Sequence, residues 1–523
     1  MRRNEFPAEL ARQRDLIEGY AREEGLDFFP VIFELVDFDQ MCQIAAYGGF
    51  PQRYPHWRFG MEYEKLSKQR VYGLSRIYEM VINTDPSYAY LLADNAPVDH
   101  KTVMAHVFAH VDFFKNNIWF RPTNRKMMDE MANHATRIRR HIERRGYEAV
   151  ERFIDTCLSL EDLIDEHSMF MSRGPSGRGE QLRIPDEDDR NFDREVVRYP
   201  AKHYMDRFIN PPEEIRAQKD RLRQEREKEK KQHPVRPVRD ILLFLLKYAP
   251  LEDWQADILA MIREEAYYYA PQAMTKIMNE GWATYWHSTI MTRYALRDDE
   301  LITYCDHHAG TLASAPGQLN PYKIGLELFR DIEYRWNTGR YGKEYEECED
   351  VERRRNWGRD RRLPERVVGK ESPGREKIFE VRKIYNDVTF IDEFLTPEFV
   401  EKHRLYQYRY DPATRRMVAV NRDFEKIKKQ LLFFLTNHGR PYIYVVDGNY
   451  ANRGELYLAH KHSGVDLQVK YATETLKRIQ ALWGRPVHLQ ALVDDEMLRF
   501  TYDGRQVQQQ AITDDLPKPA HQV

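Results

Sequence analysis

Along residues 98 to 117, VDHKTVMAHVFAHVDFFKNN, the apolar positions Val103, Val107, Val111 and Phe114 recur at intervals of three and four. That spacing predicts a helix with one buried face. A second helical pattern covers residues 271 to 294, PQAMTKIMNEGWATYWHSTIMTRY, with Pro271 suited to its first turn. Glu280, Thr284, His287 and Met291 share one face of that helix. An amphipathic helix is predicted over 7–24, two helices over 123–170, and further apolar helices over 238–269. Residues 76 to 93 alternate like strands around the turn signal Asn83-Thr84-Asp85-Pro86-Ser87, which predicts a hairpin. The aromatic, Gly- and Pro-punctuated stretch 28–60 reads as an irregular packed wall. Residues 171–200 read as a long loop or lid, and 212–232 as a solvated helix of alternating charge.

A highly charged segment, 341–376, predicts a linker, after which strand-like and helical runs alternate. The expected architecture is therefore α+β. A mainly helical domain with a small sheet occupies 1–340, a C-terminal α+β domain with an antiparallel sheet occupies 377–510, and a tail covers 511–523.

The two helical patterns also carry the candidate chemistry. His106 and His110 lie four apart, so both imidazoles leave one side of their helix a turn apart. Two such imidazoles can grip zinc in the manner of the H-E-x-x-H helix, although Val107 stands where that motif has its water-activating glutamate. The spacing alone also fits two packed core histidines. Asn279-Glu280-Gly281-Trp282-Ala283 is similar to the E-G-W-A segment around the third ligand of some gluzincin peptidases. This makes His106, His110 and Glu280 the expected metal ligands and zinc the expected ion. Gly281 beside the ligand would let two helices approach closely. An order of sheet followed by two-histidine helix is also that of zincin domains, where an edge strand pairs with an extended peptide; Tyr88–Leu92 is the candidate. Glu166, His287, His307 and His308 are the candidates for catalytic acid, base or anion-contacting groups, with His287 alternatively a fourth ligand. Asp112, two residues past a ligand, points mostly away, and His134 is read as structural. His460 and His462 alternate along one strand face and read as an ordinary surface pair.

Composition narrows the classes. The 523 residues suffice for two or three domains. A formal charge of −3 carries no footprint of a dedicated nucleic-acid binder. Cys42, Cys157, Cys305 and Cys348 are scattered, as reduced thiols of a cytoplasmic protein would be. The first residues lack the apolar run of a signal peptide, and no stretch approaches the ~20 apolar residues of a membrane span.

Long strings of the chain resemble the SpoVR family, the stage V sporulation protein R group. They are HVFAHVDFFKNN (106–117), MNEGWATYWHSTIMTRY (278–294), DHHAG (306–310), NPYKIG (320–325) and GNYANRGELYLAHKHSGVDL (448–467). The resemblance implies a cytoplasmic bacterial protein linked to spore-cortex peptidoglycan or to stress responses. Its implied partners are a PrkA-type serine kinase and a von Willebrand-type, YeaH-like protein. Two functions are compatible with these expectations. One is a zinc-dependent hydrolase of peptide or peptidoglycan-related substrates, or a descendant of one. The other is a non-enzymatic scaffold whose histidines are structural.

Overall fold

The computed structural model describes residues 6–71, 79–170, 205–220, 233–234, 236–357 and 372–512. The expected lid at 171–200 lies outside the described residues, as do 76–78 of the hairpin, 358–371 of the linker and 513–523 of the tail. Of the charged helix, 212–220 are helical and 221–232 lie outside. The chain forms two compact units, one of residues 1–151 and 267–440, the other of 152–266 and 441–523. Packing thus draws a different division from the one expected at 341–376. The helix Pro373–Ile384 packs on the helix Pro321–Thr338, burying Ile378 and Val381 in the core of the first unit. A charged stretch marked the surface, while the apolar stripe beyond it decided where the chain packed.

In the first unit, strand β1 (Val31–Val36) runs parallel to β3 (Ser87–Leu92), and β2 (Glu79–Ile82) pairs antiparallel with β3 from the other side. The hairpin forms as predicted, turning through 83–86. The irregular wall does not. The β-branched and aromatic run Val31-Ile32-Phe33 enters the sheet, and Asp37 then caps the helix Phe38–Ala46 in a capping box with Gln40. This corrects the role given to Tyr88–Leu92. With β1 added, β3 is the central strand, and its backbone has partners on both sides.

The histidine helix, Pro97–Asn116, is buried along nearly its whole length. It packs against the glutamate helix, Lys276–Ile290, which packs in turn against Pro321–Thr338. Pro271 is not in the first turn of the glutamate helix. It lies inside the preceding helix, Asp253–Met274, and the break falls at Thr275, with φ −127° and ψ 21°. The buried start of the glutamate helix is capped from afar: Asp387 accepts hydrogen bonds from the Ile277 and Met278 amides at 2.7 and 2.9 Å.

Burial raises the Asp387 carboxyl to about 7, against the pull of those two amides. Its folded pKa thus exceeds its unfolded one, so its contribution to stability is lost as pH rises toward 7. Relative to Asp387→Asn, the parent should lose stability between pH 5 and pH 8, read from urea midpoints at the two values.

Gly281 and Gly325 make the crossing possible. A Cβ on Gly281 would come 2.4 Å from the Gly325 backbone, and one on Gly325 would come 2.2 Å from the Ile277 carbonyl. Alanine at 281 gains about 1 kcal/mol in helix propensity but meets backbone that cannot rotate aside. Overpacking of this kind costs about 1–3 kcal/mol, so Gly281→Ala should be destabilised by urea unfolding despite the better helix former.

The second unit holds strands β6 (Tyr442–Tyr450), β7 (Glu455–Lys461), β8 (Val487–Val493), β9 (Glu496–Tyr502) and β10 (Val507–Ala511) in the order β10-β9-β8-β7-β6. The sheet is mixed rather than antiparallel. β7 and β8 run parallel because the helix Val469–Trp483 carries the chain back between them. The two-stranded hairpin of β4 (Gln407–Asp411) and β5 (Arg416–Asn421) belongs to the first unit, leaving an α+β architecture in which the first unit is mainly helical.

Candidate metal centre

Three side chains from the two crossing helices converge. The ligating atoms of His106, His110 and Glu280 all lie within 4.8 Å of one another, and all three residues are buried. Each imidazole turns its Nε2 toward the same carboxylate oxygen, Glu280 Oε2, at 3.5 Å. The helical repeat explains the imidazole pair, and the Gly281–Gly325 contact seats the glutamate helix. Glu280 Oε1 is taken by Lys276 Nζ at 2.6 Å, one turn earlier on the same helix. Oε2 has no hydrogen-bond partner, although it is buried. A buried carboxylate oxygen without a donor is costly, and a cation between it and the two nitrogens would remove that cost. The spacing suits one. Ligands about 2.1 Å from a tetrahedral zinc stand about 3.4 Å apart.

The electrostatics favour a neutral His110 and an ionised Glu280. Burial, reinforced by the neighbouring His106, pushes His110 down to about 4. Burial alone would raise the Glu280 carboxyl, but the facing His106 and His110 imidazoles and the Lys276 ammonium hold it well below the usual range. A neutral imidazole and an ionised carboxylate are the forms that bind a divalent cation.

The other candidates fall in different places. His287 Nδ1 lies 2.9 Å from His106 Nδ1, and its Nε2 lies 3.2 Å from His308 Nδ1. Both ring nitrogens of His287 are thus engaged by other histidines, and His287 stands outside the His106, His110 and Glu280 cluster. Its pKa is driven well below the ordinary value by burial, then by His106 and His308. His307 turns elsewhere and meets Asp99 at 2.6 Å. Both His307 and His308 sit inside the helix Leu301–Leu312. Glu166 is buried in the second unit. Val107 is fully buried in the apolar core, so the position after the first histidine provides packing instead of a base.

Asp112 does face away, into a knot of buried partners. Its Oδ1 accepts from Arg382 Nη1 and the Asp27 amide, each at 2.7 Å, and its Oδ2 from Trp282 Nε1 at 2.8 Å. His134 is buried on the helix Met127–Arg145. His460 is half-buried and His462 pairs with Asp466 at 2.8 Å, so these two do not form a ligand cluster.

Sequence reasoning missed Asn279, whose Oδ1 lies 2.9 Å from His110 Nδ1. Its place immediately before a candidate ligand was the available signal, but a lone amide carries no motif.

Fold and site together define a mainly helical α+β protein with a buried two-histidine, one-glutamate cluster at a helix crossing. The model of the family described as SpoVR like protein matches residues 4–440, that of the SpoVR-like C-terminal domain matches 441–494, and the chain belongs to the SpoVR family. The two matches meet at 440/441, one of the three points at which the chain passes between the compact units. The chain is also 28% identical to the uncharacterized protein YcgB of Escherichia coli (strain K12) over 509 residues, covering 92% of this chain and 91% of that protein. No solved structure matches it. Among the described residues, no helix is long and apolar enough to cross a membrane.

Proposed function

We propose that the chain holds one divalent cation, zinc foremost, between His106, His110 and Glu280, in a gluzincin-like centre that is a hydrolase site or the descendant of one. The observation that supports this best is Glu280 Oε2, buried, without a hydrogen-bond partner and 3.5 Å from both ligand nitrogens. When bound, zinc supplies a Lewis acid that polarises a carbonyl or lowers the pKa of water. The chain's own residues orient the imidazoles and keep the carboxylate ionised. Peptide or peptidoglycan-related bonds are the substrate class that the family resemblance suggests.

Val107 supports a second reading. With that side chain packed in the core, hydrolysis lacks the base of the ordinary motif, a contribution of roughly 10²–10⁴-fold. The protein would then be a metal-stabilised scaffold in the cytoplasm, serving sporulation or stress responses beside a PrkA-type kinase and a YeaH-like partner.

Zinc titration of the apoprotein, followed by incubation with peptides and peptidoglycan fragments with and without chelator, separates the readings. One equivalent of zinc and chelator-sensitive cleavage support the hydrolase, and one equivalent without cleavage supports the scaffold. A chain that takes up no metal overturns the centre itself.

A further inference from the structure

We propose that Asn279 and His287 are positioning residues of the metal centre, fixing which nitrogen each histidine offers to the ion. The inference rests on the reading of His106, His110 and Glu280 as ligands.

Both imidazoles direct Nε2 at Glu280 Oε2, so both must carry their hydrogen on Nδ1 for the Nε2 lone pair to be free. A hydrogen on Nδ1 needs an acceptor in a buried site, and each histidine has one at 2.9 Å. For His110 it is the Asn279 side-chain oxygen. That oxygen can only accept, so it admits the Nδ1–H tautomer alone.

For His106 the acceptor is His287 Nδ1, and the consequence runs further. A ring that accepts on Nδ1 carries its own hydrogen on Nε2, and His287 Nε2 points at His308 Nδ1, 3.2 Å away. His308 must then accept on Nδ1 in turn. One tautomer choice is thereby passed through three rings, and it ends with the His106 Nε2 lone pair directed at the carboxylate. His308, at the end of this relay, lies flat against Tyr304, with centroids 5.5 Å apart and planes at 14°.

The helix that donates the third ligand thus also carries the acceptor for each of the other two. Asn279, Glu280 and His287 form one rigid element set against the histidine helix, which makes the site preorganised rather than assembled by the ion. Partners of this kind commonly change metal affinity by about 10–100-fold when lost.

The test measures zinc affinity by chelator competition and the visible spectrum of the cobalt-loaded protein, using the full chain. His287→Leu keeps bulk and removes the acceptor; it should weaken zinc binding by about 10–100-fold and shift the cobalt bands. His287→Gln, whose amide oxygen can accept the same hydrogen, should restore most of the affinity and the parent spectrum. His308→Leu, one link further out, should weaken binding less than His287→Leu. Asn279→Leu probes the other imidazole independently, so the inference stays testable if the His287 variant fails to fold. Parent-like affinity and spectrum in both leucine variants would overturn the positioning role while leaving the metal centre standing. A parent that binds neither zinc nor cobalt would overturn both.

Discussion

His110→Ala should weaken zinc binding by orders of magnitude while leaving the protein folded. Structural zinc sites with four ligands reach a binding free energy of about 10–16 kcal/mol, or about 2.5–4 kcal/mol per ligand. Losing one imidazole should therefore weaken zinc binding by about 10²–10³-fold. Folding should survive because the core does not depend on the ring. Val103, Met104, Val107, Phe108 and Val111 pack the histidine helix whether or not the imidazole is present. Alanine also removes a buried polar group together with its need for Asn279. Chelator competition on parent and variant, alongside thermal melts without metal, measures both halves. A variant that binds zinc like the parent would show that the three side chains meet for another reason. Glu280→Gln makes the complementary point: it keeps the shape, loses the charge and should lose zinc by a similar factor.

How far the centre could be read from the sequence follows from what sets each residue's place. His106 and His110 were legible because the helical repeat alone puts them on one side, and Glu280 because its neighbours form a continuous string similar to a known ligand segment. Gly281 was legible for a related reason, since a glycine weakens a buried helix unless a neighbour must come close to its backbone. The roles of Asn279, His287 and Asp387 were not, because each depends on a partner 110 to 181 residues away whose approach only the tertiary packing decides. The same limit explains the strand misread as an edge. Periodicity found β3 but could not say that Val31–Val36 would pair beside it. It also explains the division of the chain, where local charge at 341–376 spoke louder than the apolar stripe of the helix that follows.

Asp112, which the helical repeat already turns away from the two imidazoles, is an anchor, and its replacement should have the largest effect on stability. The carboxylate is fully buried and joins four parts of the first unit: its own histidine helix, Trp282 on the glutamate helix, Arg382 on the helix 373–384 and the Asp27 amide ahead of β1. It faces away from the imidazoles of His106 and His110, six and two positions earlier, so it braces the back of the helix whose front carries them. Asp112→Ala would leave Arg382 as a buried charge without its counter-ion and two further donors without an acceptor. Removing one partner of such a buried pair costs about 3–5 kcal/mol, more than the cost expected at Gly281. The variant should unfold at markedly lower urea concentration or fail to accumulate. Pairing it with Arg382→Met should recover part of the loss, because the second change removes the stranded charge instead of adding a contact. Any folded fraction of Asp112→Ala should still bind zinc far more tightly than His110→Ala does, since the three ligands and their braces remain. Parent-like stability in Asp112→Ala would refute the anchor. Parent-like stability with turnover abolished would return the carboxylate to the chemistry.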